Sequence, residues 1–299
     1  MLRRREFLGG ALAAVVASRA GTAPARTPES EDLQQHDLDL EGDPRLAKRA
    51  LVLVPKHGPA AVPRPVLVLL HGLGETGNEL LGIHAWGDRY GLVRGYERLR
   101  RPPLKRILPN RPFLPESRLG ELNVSLRDRP FRGLVIACPV TPNPHRLGPA
   151  AQILDRYADW IEATLLPAVR RVANVADDVG CGLDGCSLGG FVGLEVMLRK
   201  PGRFATFGAV QGAYSVPRAI QYARQLAELV QRVGPRPIHI ESSSEDPFLK
   251  ANQALSRELT RLGVPHELRV LPGPHNQPWL REVGTLEMLL WHDRQLGVR

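Results

Sequence analysis

A chain of 299 residues, 43% hydrophobic and 24% charged, has enough apolar material for a real core, which excludes a disordered protein and allows one large α/β domain or two small ones. The formal charge of +9 raises the question of nucleic acid, but the arginines are scattered along the chain. Paired Cys/His zinc spacing, a basic-helix heptad and an RNP-like aromatic strand are all missing, so no nucleic-acid partner is expected.

Arg3, Arg4 and Arg5 precede the apolar run Ala11 to Ala17, and Ser18 to Ala25 is rich in small residues. A basic start, a short apolar run and small residues at cleavage positions predict an export signal over residues 1–25. Arg4-Arg5 followed by Glu6-Phe7-Leu8 resembles the twin-arginine signal, which points to the periplasm or the extracellular space. The alternative is an uncleaved amphipathic N-terminus. The apolar run is too short to span a bilayer, and no cysteine near the cleavage positions suggests a lipid attachment, so no stable membrane anchor is expected.

Residues 26–36 read as a polar linker and 37–299 as one domain. Strand-like segments are expected at Leu38 to Leu40 and Arg49 to Val54, on either side of a Gly-Asp-Pro turn. Val66 to Leu70 is an unbroken apolar run that leads into His71-Gly72-Leu73-Gly74, and Leu134 to Ala137 is a second such run. Runs of this kind suit strands buried on both faces of a mostly parallel sheet. Residues 85–133 depart from the rhythm. Arg89, Arg94, Arg98, Arg100, Arg101, Lys105 and Arg106 stand among several prolines there, and a helix followed by an irregular surface excursion is expected.

Beyond the excursion, apolar residues at spacings of three and four predict a helix from Ala151 to Val172. Strands are expected at Val179 to Leu183, Phe204 to Val210, Ile238 to Ile240 and Glu267 to Leu271. Helices are expected at Leu188 to Leu198, Ala219 to Val233, Leu249 to Leu262 and Leu280 to Leu296. Strands alternating with helices imply an α/β sheet covered on both faces.

Between the strand ending near Leu183 and the helix from Leu188 stands Gly185-Cys186-Ser187-Leu188-Gly189-Gly190. In a strand-to-helix turn this sharp, the positions two before and two after the serine crowd each other and need glycine, and the serine is held in a strained backbone conformation. Ser187 is thus a candidate nucleophile on an elbow. Its hydroxyl needs a base, and the base needs a carboxylate to hold its tautomer. Asp246 follows one late strand and His275 follows the last, the order expected after an elbow of this kind. Glu245 is the alternative acid, and either acid could instead cap the helix that starts nearby. Glu241 lies within the strand and is set aside.

Two backbone N–H groups are expected to serve as oxyanion donors: Leu188 at the helix start, and Leu73 in the glycine-flanked loop after the His71 strand. His71 itself is expected to bond loop backbone. A phosphate-binding loop is a weak alternative for these glycines, because no G-x-x-x-x-G-K-[ST] or G-x-G-x-x-G pattern is present. Cys138 and Cys181 read as small buried hydrophobes, and Cys186 is expected to turn inward beside Ser187.

Leu69-Leu70-His71-Gly72-Leu73-Gly74, Gly185 to Phe191, Lys200-Pro201-Gly202-Arg203-Phe204, Glu245-Asp246-Pro247-Phe248 with Asn252, and Pro272-Gly273-Pro274-His275 with Trp279 form an ordered set. Together they resemble the α/β-hydrolase superfamily, in particular the group of esterase D-like enzymes, feruloyl esterases and bacterial mycolyltransferases. The resemblance implies Ser187 as nucleophile, His275 as base and then acid, and Asp246 as orienting carboxylate. It implies a serine carboxylesterase without metal or organic cofactor. Feruloyl or acetyl esters of polysaccharide, a polyester or another small ester are the substrate classes that fit an exported enzyme. The family's Pro-Gly-Gly-His turn has Pro274 before His275 here. An acyltransferase of the same fold is the nearest alternative, and a non-catalytic binding protein that kept the fold is the alternative from another class.

Overall fold

The computed structural model describes residues 25–59, 61–107, 113–176 and 180–296, so residues 1–24 of the expected export signal lie outside the description. Eight strands form one sheet: β1 (Leu33–Asp39), β2 (Arg49–Pro55), β3 (Val66–Leu70), β4 (Val135–Pro139), β5 (Cys181–Gly185), β6 (Phe204–Val210), β7 (Ile238–Glu245) and β8 (Glu267–Pro274). Their spatial order is β1-β2-β4-β3-β5-β6-β7-β8. The β1–β2 and β2–β4 pairs are antiparallel and all the others parallel. Every parallel strand therefore delivers its C-terminal end to the same edge.

The helices are α1 (Glu79–His84), α2 (Leu92–Arg100), α3 (Glu116–Asp128), α4 (Pro144–Leu147), α5 (Ala150–Trp160), α6 (Leu166–Val172), α7 (Leu188–Arg199), α8 (Val216–Val233), α9 (Leu249–Arg261), α10 (Gln277–Trp279) and α11 (Thr285–Leu296). They cover both faces of the sheet, because successive side chains of a strand point to opposite sides. In β3, Val66, Val68 and Leu70 pack with α5 to α9, whereas Leu67 and Leu69 pack with α2, α3 and α11. This is the physical reason that β3 and β4 read as unbroken apolar runs: neither face meets water.

The expected helix over 151–172 forms as α5 and α6 joined by a π turn at Ile161–Leu165. Pro167 at the start of α6 has no N–H to continue the ladder, and the wider turn absorbs the missing bond. A second π turn, Leu280–Gly284, joins α10 to α11 where one continuous helix was expected.

Two stretches differ more from expectation. The last four residues of the linker read at 26–36 belong to a strand. β1 begins at Leu33, whose side chain is buried, and its other residues face partly outward on an antiparallel edge, so the segment is polar without being loose. The excursion at 85–133 is not mainly irregular. It contains α2 and also α3, whose Leu119, Leu122 and Leu126 recur at helical spacing and are buried against the sheet. The prolines of 102–115 obscured this short stripe.

Candidate active site

Ser187 stands between β5 and α7 with φ 54° and ψ −116°, one of two non-glycine residues with positive φ among those described. Left-handed backbone at a residue with a Cβ costs about 1–3 kcal/mol and persists only where the surroundings enforce it. Here the enforcement is visible. Ser187 N–H donates to Val210 O at 3.0 Å, and Ser187 O accepts from Ala213 at 3.0 Å and Phe191 at 3.2 Å. The flanking glycines are required by space: a Cβ on Gly185 would lie 2.4 Å from Gly189 C, and one on Gly189 would lie 2.1 Å from Leu70 O. Both obstacles are backbone, which cannot swing aside. Packing of this tightness seats α7 directly on the end of β3.

That contact brings the loop after β3 beside the serine. A Cβ on Gly72 would be 3.7 Å from Ser187 Cβ and 3.5 Å from Cys186 Sγ. Leu73 opens a short 3-10 turn, Leu73–Glu75, and Leu188 opens α7. Neither Leu73 N–H nor Leu188 N–H has an acceptor among the described residues. Two open donors thus lie on the two segments that flank Ser187. Cys186 is buried, and burial pushes its thiol up, away from the reactive thiolate.

His275 follows β8 directly and Asp246 follows β7 directly. Their side chains meet, with His275 Nδ1 2.9 Å from Asp246 Oδ1. The Asp246 side chain is wholly buried and that of His275 is 22% exposed. Asp246 also accepts from Ser242 Oγ at 2.6 Å and from Phe248 N–H at 2.9 Å, so it orients the histidine and stabilises the start of α9 at once. Glu245 is exposed and does not touch the histidine. With Nδ1 tied to the carboxylate, His275 Nε2 is left without a partner among the described residues, at the edge of the sheet that carries Ser187.

The turn before His275 is anchored rather than loose. Gly273 has φ 128°, and a Cβ there would lie 2.5 Å from the Trp279 ring and 2.8 Å from the Phe113 ring. Trp279 Nε1 donates to Pro272 O at 2.9 Å. Phe113 belongs to the excursion, so that segment reaches the chain two residues from His275.

His71 takes a supporting place. Its Nε2 accepts Thr141 N–H at 2.8 Å, which leaves the proton on Nδ1, 2.9 Å from Gly72 O. Burial holds this imidazole down at about 4, so it is neutral and locked in one tautomer between the loops after β3 and β4.

Three residues near the site were not legible in the sequence. Tyr90 Oη accepts Gly72 N–H at 3.1 Å and donates to Glu75, whose carboxyl burial raises above the ordinary range. The pair braces the loop that carries Leu73. Gln211, at φ 52°, donates from Nε2 to Ser243 Oγ at 2.6 Å and to Pro274 O at 3.2 Å, which links the end of β6 to the residue before His275. Tyr90 and Glu75 belong to no motif, and only the buried positive φ distinguishes Gln211.

No family model and no curated protein sequence matches the chain. Solved structures do. The chain is similar to a ferulic acid esterase at 16% identity and TM-score 0.62, covering 88% of this chain and 98% of the other. An S-formylglutathione hydrolase from Staphylococcus aureus matches at 13% identity and TM-score 0.59, over 90% and 99%. One from Agrobacterium tumefaciens matches at 17% and 0.57, over 90% and 98%. At such identities the likeness concerns architecture, and with the strand order and the strained turn after β5 it establishes that the chain has the α/β-hydrolase fold.

Proposed function

We propose that the protein is a serine carboxylic-ester hydrolase that works through an acyl-enzyme. The observation that carries this reading is the Asp246–His275 pair at 2.9 Å, held on loops at the same sheet edge as a strained serine. Ser187 Oγ attacks the ester carbonyl while its proton passes to His275 Nε2. Leu73 N–H and Leu188 N–H receive the oxyanion, and the α7 terminus adds its partial positive charge. Collapse breaks the bond to the alcohol, which leaves with the proton from His275. Water then gives a proton to His275, attacks the acyl carbon and releases the acid, restoring Ser187.

The names of the structural neighbours, a ferulic acid esterase and S-formylglutathione hydrolases, support an ester or thioester of a small acid. Feruloyl or acetyl esters of polysaccharide suit an exported enzyme. Phe113 packs beside the His275 turn, which supports a part for the excursion in shaping an acyl pocket. A fluorophosphonate should add once to Ser187, located by peptide mass, and the protein should hydrolyse p-nitrophenyl acetate. A wild type that does neither, or a Ser187→Ala variant as active as the wild type, defeats the reading. Transfer of the acyl group to an added alcohol in preference to water would make it an acyltransferase.

Export through the twin-arginine route is proposed from Arg4-Arg5 and the short apolar run. Replacing both arginines by lysine should retain the precursor in the cytoplasm. Unchanged export of that variant excludes the route.

A further inference from the structure

At the opposite edge of the sheet, before β3 and β4 begin, lies a cavity of about 510 Å³. His57, Arg64, Arg100, Phe131, Arg132 and Asp293 line it. Ser187, Asp246 and His275 follow C-terminal strand ends, so this cavity is separate from the candidate active site.

Its electrostatics are unbalanced. Arg64 donates to His57 O at 2.5 Å and to Arg132 O, and Arg100 donates to Phe131 O at 3.1 Å. Carbonyls fix the direction of a guanidinium and leave its charge in place. Among the described residues no carboxylate pairs with Arg64 or Arg100. Asp293, the only carboxylate among the described lining residues, is already engaged by Arg294 at 2.8 Å and by Arg132 at 3.7 Å, and it accepts the N–H groups of Arg132 and Gly133 at 3.1 Å each. Two positive charges therefore stand uncompensated over one recess.

Buried hydrogen-bonding capacity is also unspent. Arg100 Nε and His57 Nδ1 are inaccessible to solvent and have no partner among the described residues. His57 Nε2 lies 3.1 Å from Arg132 O, which puts the ring proton there and leaves Nδ1 as an acceptor. The wall thus offers guanidinium donors for an oxyanion. Val62, Pro63, Pro65 and Leu296 give the remainder of the lining an apolar character.

We propose that this cavity binds a small organic phosphomonoester. Its phosphoryl oxygens would accept from Arg64 and Arg100, and its organic body would rest on the apolar wall. Two uncompensated guanidiniums match a phosphate better than a single carboxylate, and forked guanidinium donors suit its oxygens. The volume exceeds what the ion alone needs.

Calorimetric titration of the full chain with phenyl phosphate, inorganic phosphate, benzoate and phenol tests this. Phenyl phosphate should bind once per chain, at least tenfold more tightly than benzoate or inorganic phosphate, and phenol should give no binding. Arg100→Gln and Arg64→Gln should each raise Kd at least tenfold. Arg64 also bonds two carbonyls, so the decisive variant for a chain that must stay folded is Val62→Trp, a rim position 52% exposed, which should raise Kd as well by filling the entrance. Ser187→Ala should leave Kd unchanged, which separates this cavity from the candidate active site. The absence of phenyl phosphate binding, a Kd unmoved by Arg100→Gln and Val62→Trp, or loss of binding in Ser187→Ala overturns the proposal. Inorganic phosphate binding as tightly as phenyl phosphate overturns the organic ligand.

Discussion

An Asp246→Asn variant should keep its fold and lose about 10⁴ in kcat towards p-nitrophenyl esters, the magnitude found when a triad carboxylate is made neutral. The fold survives because each bond made by Asp246 has a neutral equivalent. Asn Oδ1 can still accept Phe248 N–H, and the Ser242 hydroxyl, now donor to Asp246 at 2.6 Å, can turn and accept from the new amide. Rate is lost because the carboxylate does two things an amide cannot. In the proposed mechanism it keeps the proton on His275 Nδ1, so that Nε2 is free as a base, and it would stabilise the imidazolium formed when Ser187 gives up its proton. Glu245→Gln is the matched control. That side chain is exposed, and its substitution should change kcat by less than twofold, which by the relation of about 1.4 kcal/mol per tenfold is only a few tenths of a kcal/mol. Equal losses in the two variants, or unfolding of Asp246→Asn in circular dichroism, would contradict this assignment of the acid.

Acid should destabilise the protein through His71. Its imidazole is fully buried and held at about 4 against an ordinary 6.5. Above pH 6.5 neither the folded nor the unfolded chain protonates it, so it adds no pH dependence there. Between pH 6.5 and 4 the unfolded chain takes a proton that the folded chain refuses, and stability falls as pH falls. At 1.36 kcal/mol per unit the loss reaches about 3 kcal/mol by pH 4. Glu75, Asp184 and Glu241 oppose it, since burial raises their carboxyls and lets the folded state hold protons more readily. The quantity to measure is therefore the difference in urea-unfolding free energy between wild type and His71→Gln at pH 7 and pH 4. Gln Oε1 can replace Nε2 as acceptor for Thr141 N–H but cannot titrate. The gap between the two proteins should narrow by about 3 kcal/mol on acidification, and parallel pH curves would remove His71 as the cause.

Much of this architecture follows from local pattern. Val66 to Leu70 and Leu134 to Ala137 are apolar at every position, so burial on both faces, and with it a covered parallel sheet, is implied before any contact is known. The crowding at Gly185 and Gly189 is equally local, because the glycines and the strained serine lie within one turn. The order serine, acid, histidine could be read along the chain in the same way. Weak or interrupted patterns misled. α3 carries only three buried leucines after a proline-rich stretch, and β1 is a half-exposed edge whose polar residues resemble a linker.

What only the tertiary structure decided lies at long sequence separation. Asp246 and Glu245 are neighbours of the same chemical type, and the choice between them depends on which one the end of β7 turns inward to a histidine 29 residues away. The brace of Tyr90 on Gly72 spans 18 residues and the link from Gln211 to Ser243 spans 32, and neither pair has a spacing rule to announce it. The cavity of Arg64, Arg100 and Arg132 is of the same kind. Forty basic residues are scattered in the sequence, and only the packing of separate loops against the start of β3 and β4 gathers these three. Side-chain periodicity and turn sterics act over a few residues and are written in composition. Convergence of charges and donors depends on where distant strands end, and that is settled by the closing of the sheet.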